Sequence, residues 1–439
     1  MDSLTQEQQR LPLWRLFFVF AGVMTLIFWN SVLNLTLYFD QTIEAGFFVY
    51  ITFAFSFGNI ASFFTSRIFF KKFSSKKQIF FFICLSCVSF TLLGILLETI
   101  EDTLTKKIVA IILIAINGYG TGCFQGKLSG FSSSCGPISI SYMNVGTGVS
   151  GFGSNILAII FSLLFPVSHE GDTVAMRKQL FSYLVGMNVL FVFFIIVLYK
   201  YMKRYGHFID DIDSEANLTE QLADSETNID SDTLLNPDAS NNSLKDPTKS
   251  NLESKTRRSF TTWKTHGSEP TFSFFSSMKR IIDIWSGIIF TYYFTLEVVC
   301  FLVPELTKIY DNNSNSYLLA YFFLYNLGDT LGKLVPVRFN FKSSFTLHLC
   351  NLLRVFFQVY FIFVLYSDNV PAFFTHYAFR GALYLLLGIT NGYITNNFFC
   401  HSAERFRNPK NKDKAGFFVI FGLVLGVTLG SFSGILWNF

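Results

Sequence analysis

Four ionisable residues, Glu297, Asp329, Lys333 and Arg354, lie within runs of apolar sequence where charge is costly. A charged side chain at the centre of a bilayer costs about 2.5–3.5 kcal/mol on insertion scales, so each one calls for a partner or a water-filled cavity. Two are acidic and two basic, so the set can neutralise itself. Asn326, Asp329 and Lys333 are spaced i, i+3, i+7, which at about 100° per residue returns them to one face of a helix. Such a polar stripe fits two roles, an ion pair that locks helix packing or the wall of a cavity. For the second, an amide, a carboxylate and an ammonium together offer donors and acceptors to a hydroxyl-rich solute.

An earlier part of the chain carries a matching polar set without charge. Trp29, Asn30 and Asn34 occur deep in the first apolar run, and Asn117, Thr121 and Gln125 follow i, i+4, i+8 along the fourth. A glutamine amide donates and accepts at once, which suits the edge of a heterocyclic ring, and an indole offers a flat surface for stacking. Glycines mark where backbones approach. Gly118, Gly122, Gly126 and Gly130 recur every fourth residue, as do Gly422, Gly426, Gly430 and Gly434, while Gly146, Gly148 and Gly151 crowd the fifth run. Seams of small residues let membrane helices pack closely and shift against one another.

The elements that must hold these groups are membrane-spanning helices. Of 439 residues, 51% are hydrophobic and 15% charged, against about 25% charged in an ordinary soluble domain. The 56 phenylalanines suit lipid-facing surface, having no polar atom to satisfy. A span needs roughly 20 apolar residues. Such runs occur near 13–38, 47–69, 79–97, 108–130, 138–165 and 179–201, and then near 282–304, 317–337, 345–366, 376–399 and 415–437. They are continuously apolar instead of alternating, which excludes barrel strands. The expected fold is therefore all-α, a polytopic membrane protein of about eleven helices in a six-plus-five, two-bundle arrangement.

Residues 202–280 form the one long polar segment, acidic first and basic later, and read as a disordered cytoplasmic linker between bundles at 1–201 and 281–439. Asp230 with Leu234 and Leu235 in that segment resembles an acidic dileucine sorting signal. Lysines and arginines concentrate in the loops that share a side with the N-terminus, including Lys71, Lys72, Arg405 and Lys410. The positive-inside rule then places the N-terminus in the cytoplasm and the C-terminus outside. Of the sequons at Asn217, Asn241 and Asn312, only the last is then exterior. The plasma membrane is the first expectation, with endosomal, lysosomal or vacuolar membranes as alternatives.

Several activities are excluded or disfavoured. The net charge of +4 is small and spread over loops, which argues against binding nucleic acid. The seven cysteines lie in or beside apolar runs, so neither a disulfide framework nor a metal site is implied. No GxxxxGK[ST] string, HxxxH pair or second buried aspartate is present, so no cofactor is expected and an intramembrane enzyme is disfavoured. The expected partners are the bilayer and a small polar solute. A monomer suffices for that task, and a receptor without net flux is the rival from another class.

Read together and in order, the strings Trp29-Asn30, NGYGTGCFQGKLSG around Gln125, NVGTGVSGFG, NLGDTLGK from Asn326 to Lys333, LLR ending at Arg354, TNGY from Thr390 to Tyr393 and the late AGFF resemble the equilibrative nucleoside transporters. That resemblance implies a major-facilitator-like fold of eleven helices with a long loop after the sixth. It implies that Gln125 faces the base, that Trp29 and Asn30 line the cavity and that Asp329 meets the ribose hydroxyls. Lys333 stands where the family usually has arginine, Val359 where it often has proline, and Glu297 is an additional charge. Lysine lacks the planar, two-pronged donor of arginine, so sugar recognition is expected to differ. Free nucleobases, amino acids and sugars are the competing solutes, and Glu297 with Arg354 the candidates for proton coupling or structural charge.

Overall fold

The computed structural model describes residues 12–35, 38–39, 42–44, 46–69, 74–166, 173–205, 269–311, 315–339, 341 and 343–437. Six long helices come first, α1 (Pro12–Leu33), α2 (Phe47–Phe69), α3 (Ser75–Thr99), α4 (Thr103–Ser134), α5 (Pro137–Leu164) and α6 (Thr173–Tyr205). Five more follow. They are α7 (Ile282–Glu297, continued through a π-helical turn at Val298–Leu302 into Val303–Tyr310), α8 (Asn315–Leu334), α9 (Ser344–Leu353 and Val355–Tyr366, interrupted at Arg354), α10 (Tyr377–Glu404) and α11 (Pro409–Trp437). No strand occurs among the described residues.

Among those residues, nine helices are long and apolar enough to cross a bilayer, so length and composition alone give fewer spans than the expected eleven. The two that fall short are α8 and α10. Their lower hydropathy has a local cause: they carry Asn326, Asp329 and Lys333, and Arg380, Asn391, Asn396 and Asn397, all turned toward protein and not toward lipid. The outer surfaces are of the opposite kind. On α3 and α6, Phe81, Phe181 and Phe193 are each more than half exposed, which is stable only against hydrocarbon.

Glycines decide which helices pair most closely. A Cβ at Gly22 or Gly146 would collide with the facing backbone carbonyl, so α1 and α5 touch backbone to backbone. The same holds for Gly58 and Gly118 between α2 and α4, and for Gly332 and Gly392 between α8 and α10. Between α7 and α11, Gly426 would meet the Ile289 carbonyl at 2.5 Å and Gly430 the Tyr293 carbonyl at 2.6 Å. The close pairs α1–α5 and α2–α4 thus recur as α7–α11 and α8–α10, six helices later. Contacts between the halves repeat too, α2 with α11 mirrored by α5 with α8, and α4 with α11 mirrored by α10 with α5. Two related bundles around an approximate two-fold axis produce that pattern.

The ordered helices reach past both ends of the expected 202–280 linker, because α6 runs to Tyr205 and the chain is structured again from Glu269. The Glu269 carboxylate accepts from the Arg407 and Asn408 amides at 2.7 and 3.0 Å, and the Phe272 amide donates to Asn411 at 3.0 Å. Burial raises the Glu269 carboxyl, but these donors and Arg280 outweigh it and hold it below the usual carboxylate range. A short helix, Phe274–Arg280, then leads into α7. The dileucine motif and the sequons at Asn217, Asn241 and Asn312 lie outside the described residues. We call the side where α6 ends and α7 begins the linker face. At the opposite, far face, Arg380 of α10 grips Asp311 with bonds of 2.6 and 2.9 Å, both side chains buried. That pair fastens α10 to the end of α7.

Candidate functional site

Between the two bundles lies a narrow chamber of about 90 Å³. The first half contributes Trp29 and Asn30 from α1, Asn34 from the turn that follows it and Thr147 from α5, and the second half contributes Asn326, Asp329 and Lys333 from α8. The polar stripe on α8 is therefore a chamber wall, and also an ion pair. The Lys333 ammonium donates to the Asp329 carboxylate at 2.5 Å and to the Thr147 hydroxyl of the other half at 2.9 Å. The second carboxylate oxygen of Asp329 accepts from Asn391 of α10 at 2.8 Å. Helical spacing sets the first contact, since Asp329 and Lys333 are i, i+4 neighbours.

Behind this pair stands Arg354, 2% exposed. It donates to the Thr295 hydroxyl at 2.5 Å, to the Thr291 carbonyl at 3.3 Å and to the Asn391 side-chain oxygen at 3.3 Å. Asn391 thus links two buried charges, accepting from Arg354 and donating to Asp329. Arg354 lies in a second layer and is not on the chamber wall. Glu297 is also fully buried. Its carboxylate accepts from Gln358 of α9 at 2.7 Å, and the residue is not among those lining the chamber. Its place is just before the π-helical turn of α7, where the helical register shifts by one residue.

On the α1 side, Asn30 donates to the Ser150 hydroxyl of α5 at 2.8 Å. A relay of asparagines crosses between the halves: Asn326 donates to Asn155 of α5, and Asn155 donates to Asn34 at 2.5 Å. Trp29 is 7% exposed and its ring stacks on Phe55 with centroids 4.4 Å apart, which makes it an interior wall and not an interfacial anchor. The glycines at this level join the halves. A Cβ on Gly148 would lie 2.9 Å from the Thr330 Cα, and one on Gly151 would collide with Asn326. Gly122 faces Asn59 and Ser62 of α2, and Gly126 faces Phe417 of α11.

Gln125 is the expected site residue that the structure sets apart. It is 1% exposed, its side-chain oxygen has no hydrogen-bond partner among the described residues, and it is not on the wall that holds Asp329. Toward the linker face the space between the halves is filled. Asn396 donates to Ser141 at 2.9 Å, Asn144 donates to Asn396 at 3.2 Å, Ser129 donates to the Gly416 carbonyl at 3.1 Å, and Phe63 meets Phe417 edge-on at 4.9 Å.

A two-bundle fold with an asparagine-rich, ion-paired chamber at its seam is now in view, and the comparison with known families gives it a place. The nucleoside transporter family model matches residues 109–439, from α4 to the end of the chain. The chain belongs to the nucleoside transporter family. Among solved structures, this family member is similar to the major facilitator proton:xylose symporter XylE, with TM-score 0.59, 10% identity, and 97% of this chain and 88% of that chain covered. It is also similar to a bacterial homologue of the human lysosomal transporter Spinster, with TM-score 0.55, 10% identity and coverage of 97% and 83%. The human organic anion transporter TETRAN gives TM-score 0.51, 13% identity and coverage of 98% and 95%. At these identities the likeness shows the fold alone, a multi-pass helical arrangement like that of major facilitator proteins. None of the curated proteins compared with the transporter matches it.

Sequence reasoning missed Asn155, Thr147 and Asn391 as members of the site. Asn391 falls within the TNGY string, which was a usable signal. Asn155 and Thr147 carry no charge and stand in a glycine-rich run whose packing role hides them.

Proposed function

We propose that this transporter carries nucleosides across a bilayer by alternating access, with the N-terminus in the cytoplasm and the C-terminus outside. The observation that carries the proposal is the Asp329 carboxylate, held between Lys333 and Asn391 on a chamber wall opposite Trp29 and Asn30. A carboxylate fixed in that way accepts from two neighbouring hydroxyls, as a ribose presents, while an indole opposite offers a face to a flat ring. The chamber is smaller than the roughly 300–1,000 Å³ of ordinary ligand pockets, so the halves separate to admit the solute. The packed linker face is the closed gate of this conformation. Contacts between α5 and α8 loosen as the solute enters, and those of α4, α5, α10 and α11 part as it leaves.

Glu297 supports no second reading at the solute site, because it bonds to α9 and is not on the chamber wall. Flux driven by the solute gradient alone is the form we favour, and the plasma membrane the first location to test.

The sugar contact gives the test. Inosine is expected to compete with labelled uridine uptake at about tenfold or more lower concentration than 2′,3′-dideoxyinosine or hypoxanthine, because both analogues leave Asp329 without its hydroxyl donors. Equal potency of the three would overturn ribose recognition by Asp329 and turn attention to nucleobases.

A further inference from the structure

The lipid-facing side of the first half carries a second cavity, which shares no lining residue with the chamber. It is a trough of about 790 Å³ between Thr91, Gly94 and Ile95 of α3 and Val185, Asn188 and Val189 of α6, with Glu98 at one end. That volume lies within the roughly 300–1,000 Å³ of ordinary ligand pockets. Local packing explains why the two helices part here. Toward the linker face they touch, with the Phe80 and Tyr199 rings edge-on at 5.7 Å. Near the deep end of the trough the Thr91 hydroxyl donates to Asn188 at 2.6 Å and bridges the helices. Beyond that, Gly94 has no side chain to fill the gap. A Cβ there would meet Leu184 Cδ1 at 2.4 Å, so Leu184 lies against α3 as a floor.

Length and polarity narrow what can fill it. From Cys87 to Glu98 the trough follows about three turns of α3, about 16 Å, the depth of one leaflet of a roughly 30 Å hydrocarbon core. The walls are rigid. Ile95, Val185, Val189 and Val192 are 47–64% exposed, and their β-branches fix one rotamer in a helix. Polarity is confined to the far face. The deep Thr91 and Asn188 pair needs no further partner, since the Asn188 amide also donates to the Leu184 carbonyl at 2.8 Å. Glu98, at the end of α3, is different. One carboxylate oxygen accepts from Tyr38 at 2.8 Å, while the other has Arg177 at 3.6 Å and no hydrogen bond among the described residues.

We propose that this trough is a sterol site, with the rings against Ile95, Val185 and Val189 and the hydroxyl donating to Glu98 at the far face. Exposed apolar surface of this extent is covered in its native setting, and at this depth of a bilayer the cover is lipid. A sterol is a rigid apolar body of one-leaflet length with a single hydroxyl, which the stiff walls and the open Glu98 oxygen together accept. A phospholipid fits less well. Its flexible chains lose conformational freedom against fixed walls, and its phosphate is repelled by the Glu98 carboxylate. The site is independent of which solute the chamber carries.

The experiment is photolabelling of the purified full-length protein in phosphatidylcholine liposomes with a diazirine-bearing cholesterol, the labelled residues being mapped by mass spectrometry. Saturable labelling confined to the trough residues of α3 and α6 is expected. Unlabelled cholesterol should compete at about tenfold or more lower concentration than cholestene, which has the same rings and no hydroxyl. Val189→Trp, on the lipid-facing rim, should fill the trough and lower labelling about tenfold in a protein that stays monodisperse. Glu98→Gln should narrow the preference for the hydroxyl. Labelling that does not saturate, that maps elsewhere, or that is unchanged in Val189→Trp overturns the site. Competition by cholestene or by phosphatidylethanolamine as strong as that by cholesterol overturns the sterol assignment.

Discussion

Asp329→Ala is expected to abolish nucleoside uptake, and Asp329→Asn to reduce it about 100-fold, equivalent to about 2.7 kcal/mol. The two substitutions separate transport from folding. Removing the carboxylate altogether leaves Lys333 and Arg354, each 2% exposed, without the anion that lies between them. Leaving a buried charge uncompensated costs about 3–5 kcal/mol, so the alanine variant should also lose abundance. Asparagine keeps the shape and one acceptor oxygen, enough for Lys333 but leaving the Asn391 amide facing another donor, and it loses the charge that binds hydroxyls most strongly. Initial uptake rates normalised to protein in the membrane are the measurement. Near-normal transport by well-expressed Asp329→Asn would make the pair a packing device and remove Asp329 from the solute site.

Gly148→Leu should stop transport while leaving the protein folded, whereas Gly426→Leu should prevent folding. A Cβ at either site is too close to a facing backbone, 2.9 Å from the Thr330 Cα for Gly148 and 2.5 Å from the Ile289 carbonyl for Gly426. Overpacking costs about 1–3 kcal/mol and sometimes more. What differs is where the strain can go. Gly148 sits between α5 and α8, which belong to different halves, so the clash is relieved by splaying the bundles and the cycle is held at one end. Gly426 sits between α7 and α11 of the same half, where nothing can move without breaking the bundle. The expected outcome is a monodisperse Gly148→Leu protein with uptake reduced about tenfold or more, and a Gly426→Leu protein that aggregates in detergent. Normal uptake by Gly148→Leu would show that this seam does not close during transport.

The helices were legible because a bilayer demands long apolar runs, and each of the eleven expected runs falls on an observed helix. Their ends were less so: α4 begins at Thr103 where Asp102 caps it, five residues before hydropathy alone would start it. The pairing of helices was only partly legible. Glycine spacing marked which faces approach, but not that Gly148 and Gly151 join the halves while Gly426 and Gly430 join helices within one. In the site, the α8 stripe was readable because charge in an apolar run is conspicuous and helical spacing fixes the face. The partners of that stripe were not readable. Asn391 is 62 residues from Asp329, and Asn155 is 171 from Asn326, and neutral amides in helices are too common to pair by sequence. The Gln358 partner of Glu297 was unreadable for a related reason: its charge was visible, but which turn of α9 meets it is a property of the packed bundle.

Uptake of labelled adenosine, inosine, uridine and hypoxanthine into liposomes containing only the purified protein, with and without a pH gradient, bears most directly on solute transport through the chamber. The expected result is saturable entry of the nucleosides to equilibrium, slower entry of hypoxanthine, no dependence on the gradient, and no flux in Asp329→Ala. Folded, reconstituted protein that admits no nucleoside faster than empty liposomes, or that moves nucleosides equally well without Asp329, would contradict it.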